Sequence, residues 1–295
     1  VWQSASVAAV FMIVLFSVLF TRENRPPESS VVNDVPVAGK TQAVLSLPDG
    51  RQVALGNEKE QDTAWMKYVE ACTIESKATT EPADIKIEVA RGGEYKIRLE
   101  DGTTVWLNSE SSLIYPEKFT GDKRAVRLSG EGYFEVARDE KKPFIVSVTD
   151  MEIKVLGTKF NVTAYQDEKM TTTTLISGAV EVVTPHRSVQ LQPGKQAMVQ
   201  EGGDDITVLE VDVELATSWT AGIFKFDKMA LTDICTRLSR WYDIDFVFEG
   251  ETGKEKFTGG TWKYVPLKDF LSKIERVTNV LFLFENNTVR VVPKK

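Results

Sequence analysis

Short alternating runs of apolar residues, separated by turn residues, fill the chain from Ala43 to about Ile206. Alternation with a period of two turns one face of each run toward a core and the other toward solvent, which is the pattern of half-buried β-strands. Many such strands at close spacing are typical of a sandwich or a barrel. We therefore predict an all-β domain in this part of the chain.

The turns between these runs have a repeated frame, seen in "LSLPDGRQVAL" and again in "IRLEDGTTVWL". In the second copy, a three-residue loop at 100–102 places five apolar residues on one face of the hairpin: Tyr95, Ile97, Leu99, Val105 and Leu107. The same loop puts Gly102 at the position that requires a left-handed residue. We interpret Asp101 and Gly102 as turn residues and not as a reactive loop.

The first residues, "VWQSASVAAVFMIVLFSVLFT", are uncharged and mostly apolar. A helix of this length spans about 31 Å, so residues 1–21 are predicted to form a transmembrane helix. Residues 22–42 are rich in Pro, Ser and charge and are predicted to be a linker. Because the chain begins at Val1 and not at Met, we expect a further segment upstream. Arg22 and Arg25 alone favour a cytoplasmic location for the rest of the chain.

The pattern changes near Trp219, and residues 211–295 predict a small α+β domain. Two stretches have helical spacing of apolar residues, at 230–242 and 266–278. Their predicted buried stripes are Leu231, Ile234, Leu238 and Trp241 in the first, and Leu267, Phe270, Leu271, Ile274 and Val277 in the second. Strands are predicted on either side of each helix. Among them, "DIDFVFEG" and "TVRVV" are candidates for an edge that pairs with a partner.

Composition excludes several function classes. A net charge of −7 and a pI of about 5.1 argue against a nucleic-acid-binding surface. The one histidine, His186, stands in a turn-like stretch, which argues against His-dependent catalysis and multi-His metal sites. Cys72 and Cys235 are too far apart for a CxxC pair, and we predict that both are unpaired, with Cys235 on a helix face. No cofactor and no metal is predicted.

A glycan-related function is the alternative to a binding role. Glu131 and Glu135 share a strand face but stand about 13 Å apart, which exceeds the separation that glycoside hydrolysis uses. We expect both carboxylates to be solvated. A membrane-anchored carbohydrate-binding or glycan-processing β-sandwich protein remains open, with exposed Trp106 and Trp262 as a sugar platform if they cluster.

Several phrases stand in a fixed order: "LEDGTTVWLNSESSLIYPEKF", "RAVRLSGEGYFEVARDEKKPFIVSV", "IKVLGTKFNVTAY", "TLISGAVEVV", "LQPGKQAMV" and "FKFDKMALTDICTRLSRWYDIDFVF". Together they resemble the FecR-like transmembrane anti-sigma factors, in the form with a distinctive C-terminal domain. The resemblance implies a jelly-roll-like sandwich over residues 43–210. It also implies a C-terminal α+β domain over residues 211–295, similar to the short N-terminal domain of secretins and TonB-dependent receptors.

The resemblance also implies partners and a location. The family relays a signal from an outer-membrane TonB-dependent transducer, through its signalling domain, to an extracytoplasmic-function sigma factor. The sigma factor would bind the segment expected upstream of Val1. The chain would be a single-pass protein of the inner membrane with residues after about 22 in the periplasm, against the bias of Arg22 and Arg25. No enzymatic activity and no direct contact with nucleic acid is implied.

Some members of the family cut themselves at a Gly-Thr bond in the phrase that corresponds to "VLGTKFNV", here Gly157-Thr158. The Thr hydroxyl would attack the preceding carbonyl to give an ester that water opens, helped by strain at the glycine and nearby amide donors. The alternative is structural: Gly157 permits a bulge and Thr158 is an ordinary strand residue.

Overall fold

The computed structural model describes residues 38–56, 84–149 and 151–294. These residues all lie in one compact unit. The predicted transmembrane stretch 1–21, most of the predicted linker and Cys72 lie outside the described residues. None of the helices found among the described residues could span a membrane.

The first part of the described chain, residues 38–210, consists of strands, and we call it the sandwich. It has sixteen of them: β1 (Lys40–Thr41), β2 (Ala43–Ser46), β3 (Gln52–Leu55), β4 (Asp84–Val89), β5 (Gly93–Arg98), β6 (Thr104–Leu107), β7 (Ser111–Pro116), β8 (Arg124–Glu135), β9 (Phe144–Val148), β10 (Met151–Val155), β11 (Lys159–Ala164), β12 (Met170–Ser177), β13 (Val180–Val183), β14 (Ser188–Leu191), β15 (Lys195–Gln200) and β16 (Ile206–Glu210). The predicted all-β character is confirmed. The strand β1 lies within the stretch predicted to be a linker.

Strand pairing arranges the sandwich as two sheets that share one long strand. The first sheet has the order β3, β2, β4, β7, β8, β9, β10, β13, β14. The second has the order β1, β5, β6, β8, β11, β12, β15, β16. The first half of β8 pairs in the first sheet and the second half in the second sheet. The result is a sandwich-like β domain.

Alternating burial along the strands builds one hydrophobic core from both sheets. Ile87 and Leu113 of the first sheet and Val105, Phe134 and Phe160 of the second are fully buried. Phe134 and Phe160 stack with ring centroids 5.0 Å apart. The period-two pattern in the sequence therefore identifies the inward faces.

The predicted hairpin register is confirmed. Tyr95 pairs with Leu107 and Ile97 with Val105, and the Leu99 amide donates to the Thr103 carbonyl at 2.8 Å. Gly102 has a φ of +85°, as its position in the loop requires.

The second part, residues 223–294, is called the C-terminal module. Its elements are β17 (Ile223–Ala230), α2 (Leu231–Tyr242), β18 (Asp245–Phe248), β19 (Lys256–Trp262), α3 (Leu267–Val277), β20 (Val280–Glu285) and β21 (Thr288–Pro293). A short helix α1 (Val213–Thr217) and a 3-10 turn (Ser218–Ala221) connect it to the sandwich. β17 pairs with β19, and β18, β21 and β20 form a second sheet in that order.

The helices of the module bury the predicted stripes with one exception. Leu231, Ile234, Leu238 and Trp241 of α2, and Leu267, Phe270, Leu271 and Ile274 of α3, all lie in the module core. Val277 is 75% exposed, so its predicted burial is wrong. It is the last residue of α3, and the buried residues of the helix end at Ile274.

Candidate functional site at the junction of the sandwich and the C-terminal module

The C-terminal module buries an arginine among acidic residues of the sandwich. Arg240, in the last turn of α2, is 4% exposed. Its guanidinium nitrogens lie 2.7 Å from Asp167, 2.6 Å from Glu168 and 3.3 Å from Glu110. The guanidinium carbon also stands 3.6 Å from the centre of the Tyr165 ring, a cation–π contact. Burial acts to lower the pKa of Arg240, but Tyr165 and the carboxylates outweigh it and raise that pKa.

A lysine of the module is buried even more completely. Lys263 is 0% exposed, and its ammonium lies 2.7 Å from Glu94 of β5 and 3.8 Å from the centre of the Trp241 ring. Burial lowers the pKa of Lys263, and Glu94 only partly opposes this. The Tyr264 hydroxyl donates to the other oxygen of Glu94 at 2.9 Å. Glu94 therefore binds two neighbouring side chains of the module.

Arg91 of the sandwich makes the reverse contact, because its side chain extends into the module. The guanidinium of Arg91 donates to the carbonyls of Ser239 and Ile244 at 3.1 and 2.7 Å and to the Asp245 carboxylate at 2.9 Å. α2 ends at Asp243 in a left-handed conformation. The C-terminal end of a helix carries partial negative charge, so a cation there is favourable.

A polar layer separates the second sheet from the residues that cover it. Asn161 is 2% exposed; its amide nitrogen donates to Glu131 at 3.0 Å and its oxygen accepts from the Trp219 indole at 3.2 Å. The Asn108 side chain donates to the other oxygen of Glu131 at 2.8 Å. A cavity of about 320 Å³ lies here, and Glu131, Trp219 and Arg240 are among the residues that line it.

These buried ion pairs make the junction specific. The cations Arg240 and Lys263 are buried, whereas the carboxylates around Arg240 are partly exposed. Removal of the carboxylate partner of a buried cation leaves an uncompensated charge, which costs about 3–5 kcal/mol where the pair is fully buried. The module is therefore held in one orientation by cations that fit only where the sandwich supplies carboxylates.

Comparison with known proteins identifies the family of this chain. The FecR protein family model matches residues 85–181, and the FecR C-terminal family model matches residues 223–291. A crystal structure of a candidate anti-sigma factor from Parabacteroides distasonis ATCC 8503, at 1.65 Å resolution, is 30% identical with a TM-score of 0.66. The match covers 71% of this chain and 99% of that one. This chain belongs to the FecR-like anti-sigma factor family.

A second structure of a candidate anti-sigma factor from the same organism, at 2.50 Å resolution, is likewise 30% identical with a TM-score of 0.66 and covers 72% of this chain and 100% of that one. No curated protein matches the chain. Membership in an anti-sigma family implies interaction with a sigma factor and a regulatory role. The family resemblance predicted from the ordered phrases is confirmed.

The predicted self-cleavage pair of this FecR-like protein lies between β10 and β11. Thr158 is 4% exposed, and its hydroxyl donates to the Ala179 carbonyl at 2.8 Å. Gly157 is not among the glycines with positive φ. A Cβ at Gly157 would lie 2.7 Å from the Cα of Arg138, so close approach of two backbones explains the glycine. The pairing of β11 with β12 shifts register at Lys159 and Phe160, next to this pair.

The predicted carboxylates and the histidine lie in different surroundings. Glu131 is half-buried in the polar layer and is not simply solvated as predicted. Glu135 forms an ion pair of 2.8 Å with exposed Lys159. His186 is exposed in the connection between β13 and β14, as predicted. Within residues 38–56, 84–149 and 151–294, no cluster of three or more His, Cys, Asp or Glu side chains is placed to hold a metal ion.

The two tryptophans considered as a sugar platform differ in exposure. Trp262 is 62% exposed, but Trp106 is half-buried, contrary to expectation. Trp106 packs edge-to-face on Tyr133 with centroids 5.4 Å apart and lies under the Lys96 ammonium at 4.7 Å. Trp106 lines a groove with Glu94 and Lys96, and Trp262 is not among the residues that line it. The two tryptophans therefore do not line this groove together.

Cys235 is free, as predicted. It is buried in the module core, and this burial raises the pKa of its thiol.

The edges of the three-stranded sheet in the module differ from expectation. β18, within "DIDFVFEG", is an edge, but β21, which contains "TVRVV", is the central strand. The other edge is β20, "VLFLFE", whose Leu281 and Leu283 are 37% and 42% exposed.

Sequence reasoning missed the cations of the junction because helical periodicity points Arg240 away from the module core. At about 100° per residue, Arg240 lies about 180° around the helix from Leu231. Such a residue is expected in solvent, and only the sandwich loops that carry Glu110 and Asp167 bury it. A signal was present at Lys263, which stands between Trp262 and Tyr264 in the sequence.

Proposed function

We propose that this FecR-like protein relays a signal across the inner membrane, from a TonB-dependent transducer in the outer membrane to an extracytoplasmic-function sigma factor. Two findings support the proposal. Both FecR family models match the chain in order, and its structure is similar to that of a candidate anti-sigma factor over 99% of that protein's chain. In this proposal residues 1–21 cross the membrane and residues 22–42 form the linker. The FecR-like β domain, residues 43–210, and the C-terminal domain, residues 211–295, lie in the periplasm. The sigma factor binds a segment upstream of Val1.

The C-terminal module is the part that meets the signalling domain of the transducer. Its three-stranded sheet has two unpaired edges within the described residues, β18 and β20. Side chains on the outer face include exposed Val247, Leu281 and Leu283. An edge strand offers unpaired backbone donors and acceptors, and its alternating side chains add specificity, which is the basis of β-strand addition.

The test is site-specific photocrosslinking in cells that contain the full-length protein and its transducer. A photoreactive residue replaces Val247 in β18 or Leu283 in β20. The control replaces Val277, which is 75% exposed but is the last residue of α3 and not part of the sheet. We expect a crosslink to the TonB-dependent transducer from at least one edge position and none from Val277.

The companion measurement is transcription of a reporter that depends on the sigma factor. Leu283→Lys and Val247→Lys should reduce induction, because a charged side chain on an edge strand opposes pairing with another strand. Crosslinks from neither edge, together with normal induction in both variants, would exclude the sheet as the transducer site. A full-length protein that recovers no sigma factor from its own membrane would overturn the relay.

A further inference from the structure

The first described residues of the chain pass between the sandwich and the C-terminal module. Ala38 packs against the hydrophobic core of the module. Gly39 lies against the Trp241 ring so closely that a Cβ there would stand 2.6 Å from a ring carbon. One residue later the chain forms β1 with the sandwich, and Ala43 is 5% exposed in the sandwich core.

The strand β1 has only two residues and depends on one neighbour. It pairs in parallel with β5, with Lys40 opposite Gly93 and Thr41 opposite Glu94. The Lys40 amide donates to the Gly92 carbonyl at 3.0 Å, and the Gln42 amide donates to the Glu94 carbonyl at 3.0 Å. Two backbone hydrogen bonds at a sheet edge are a weak attachment, and such segments open readily.

The two residues that accept these hydrogen bonds also hold the C-terminal module. The Gly92 amide donates to the Arg240 carbonyl at 2.7 Å. The Glu94 carboxylate holds the Lys263 ammonium at 2.7 Å and the Tyr264 hydroxyl at 2.9 Å. Gly92 and Glu94 therefore connect the incoming chain to the module through a single stretch of backbone.

We propose that residues 38–42 and the C-terminal module stabilise each other's position on the sandwich, an arrangement that we call the latch. The module holds residues 38–42 against β5, and these residues in turn stabilise the contact between the module and the sandwich. Separation of the module from the sandwich removes Trp241 from Gly39 and breaks the hydrogen bond from the Gly92 amide to the Arg240 carbonyl, next to the start of β5. The chain from residue 38 to residue 42 then detaches, which frees the connection to residues 1–21. That last consequence rests on the proposed relay, whereas the coupling itself does not depend on any partner.

The first test opens the latch from the module side. Arg240→Ala removes the ion pairs that join the module to Glu110, Asp167 and Glu168 of the sandwich, so the module is held less firmly. Amide hydrogen exchange of the full-length protein in detergent should become on the order of tenfold faster at Lys40 and Gln42. The matched control is Lys225→Ala, which removes an exposed lysine of the same module that pairs with Asp212 and Glu214.

Exchange at other amides distinguishes separation of the module from the sandwich from unfolding of either part. Val162 of β11 and Leu238 of α2 lie in the two hydrophobic cores and should keep wild-type protection. If the Gly92 amide loses protection in Arg240→Ala while Lys40 and Gln42 keep theirs, β1 is held by β5 alone and the latch is refuted.

The second test opens the latch from the chain side, because coupling between two sites is reciprocal. Gly39→Leu forces a side chain into the Trp241 ring, whereas the control Gly121→Leu meets nothing within 4 Å. Gly39→Leu should speed exchange at the amides of Gly92 and Lys263. The Lys263 amide donates at 2.9 Å to the carbonyl of Gly222, which lies at the end of the connection between the sandwich and the module. Unchanged exchange at both amides would overturn the proposal even if Arg240→Ala proves too unstable to study.

Discussion

At the scale of single residues, Thr158 links two connections of the sandwich through its hydroxyl group. That hydroxyl donates to the Ala179 carbonyl at 2.8 Å and accepts a longer hydrogen bond of 3.4 Å from the Ala179 amide. A Cβ at Gly178 would lie 2.8 Å from the same oxygen, so the glycine leaves room for this contact. Thr158 therefore has a structural role whether or not it also attacks the Gly157 carbonyl.

Self-cleavage at Gly157-Thr158 stays a prediction, and a pair of substitutions tests it. Thr158→Ala removes the nucleophile, so the chain should stay whole, and Thr158→Ser retains a hydroxyl and should still cleave. Loss of the buried hydrogen bond should cost about 1 kcal/mol in Thr158→Ala alone. The measurement is the size of the chain on a denaturing gel after expression. A wild-type chain that remains intact would end the hypothesis.

At the scale of secondary-structure elements, β8 joins the two sheets because its backbone changes direction at Gly130. Ser129 is the last residue of β8 that pairs with β7, and Gly130 begins the stretch that pairs with β11. Gly130 has a φ of +89°, a backbone conformation that is strained for any residue with a side chain. A Cβ there would stand 2.7 Å from the Glu110 carbonyl and would also overlap the Ser111 side chain.

Gly130→Ala is expected to destabilise the protein by at least about 2 kcal/mol, since left-handed strain adds to a clash with backbone. Gly121→Ala is the matched control, because that glycine is exposed, does not have positive φ and meets nothing within 4 Å. Denaturant unfolding of both variants measures the difference. Equal stability of the two would show that β8 crosses between the sheets without needing a glycine.

At the scale of the whole molecule, two hydrophobic cores meet across a junction of buried charges. Arg240 and Lys263 of the module and Arg91 of the sandwich each enter the other part. Burial also raises the pKa of several tyrosines in both parts: Tyr115, Tyr165 and Tyr242. Stability at alkaline pH therefore depends on groups distributed over the whole fold.

Stability should fall as pH rises above about 10. In the unfolded chain tyrosines ionise near pH 10, whereas Tyr115 stays protonated because burial raises its pKa. A folded-state pKa above the unfolded one contributes stability that is present below pH 10 and lost as pH rises further. Lys263 has the opposite effect on stability, because burial lowers its pKa in the folded state. Its contribution rises with pH only up to about pH 10.4, where the lysine of the unfolded chain also loses its proton.

Tyr115→Phe isolates this effect, because burial is the main cause of the raised pKa of Tyr115. The variant should match the wild type at about pH 8 and lose less unfolding free energy between about pH 10.5 and about pH 12. Urea unfolding at a series of pH values measures this. An identical pH dependence in both proteins would mean that Tyr115 ionises in the folded state as it does in water.

Local patterns in the sequence predicted much of the fold. The loop at 100–102, the inward face of the hairpin and both helices of the module follow from turn chemistry and from periods of 2 and 3.6 residues. Val277 marks the limit of this reasoning, because periodicity identifies a helix face but not which residues of that face the rest of the fold covers. Of the two candidate edges, β18 is an edge and β21 is not, because strand order depends on pairing between distant segments.

The sequence by itself determined the strand and helix pattern, the turns and, through the order of its motifs, membership in the FecR-like family. These features depend on residues that are close together in the chain. Only the tertiary structure decided that Arg240 and Lys263 are buried, that Glu131 belongs to a polar layer and that Gly39 lies against Trp241. Each of these contacts joins residues far apart in sequence, so it exists only when two folded surfaces meet with complementary charge and shape.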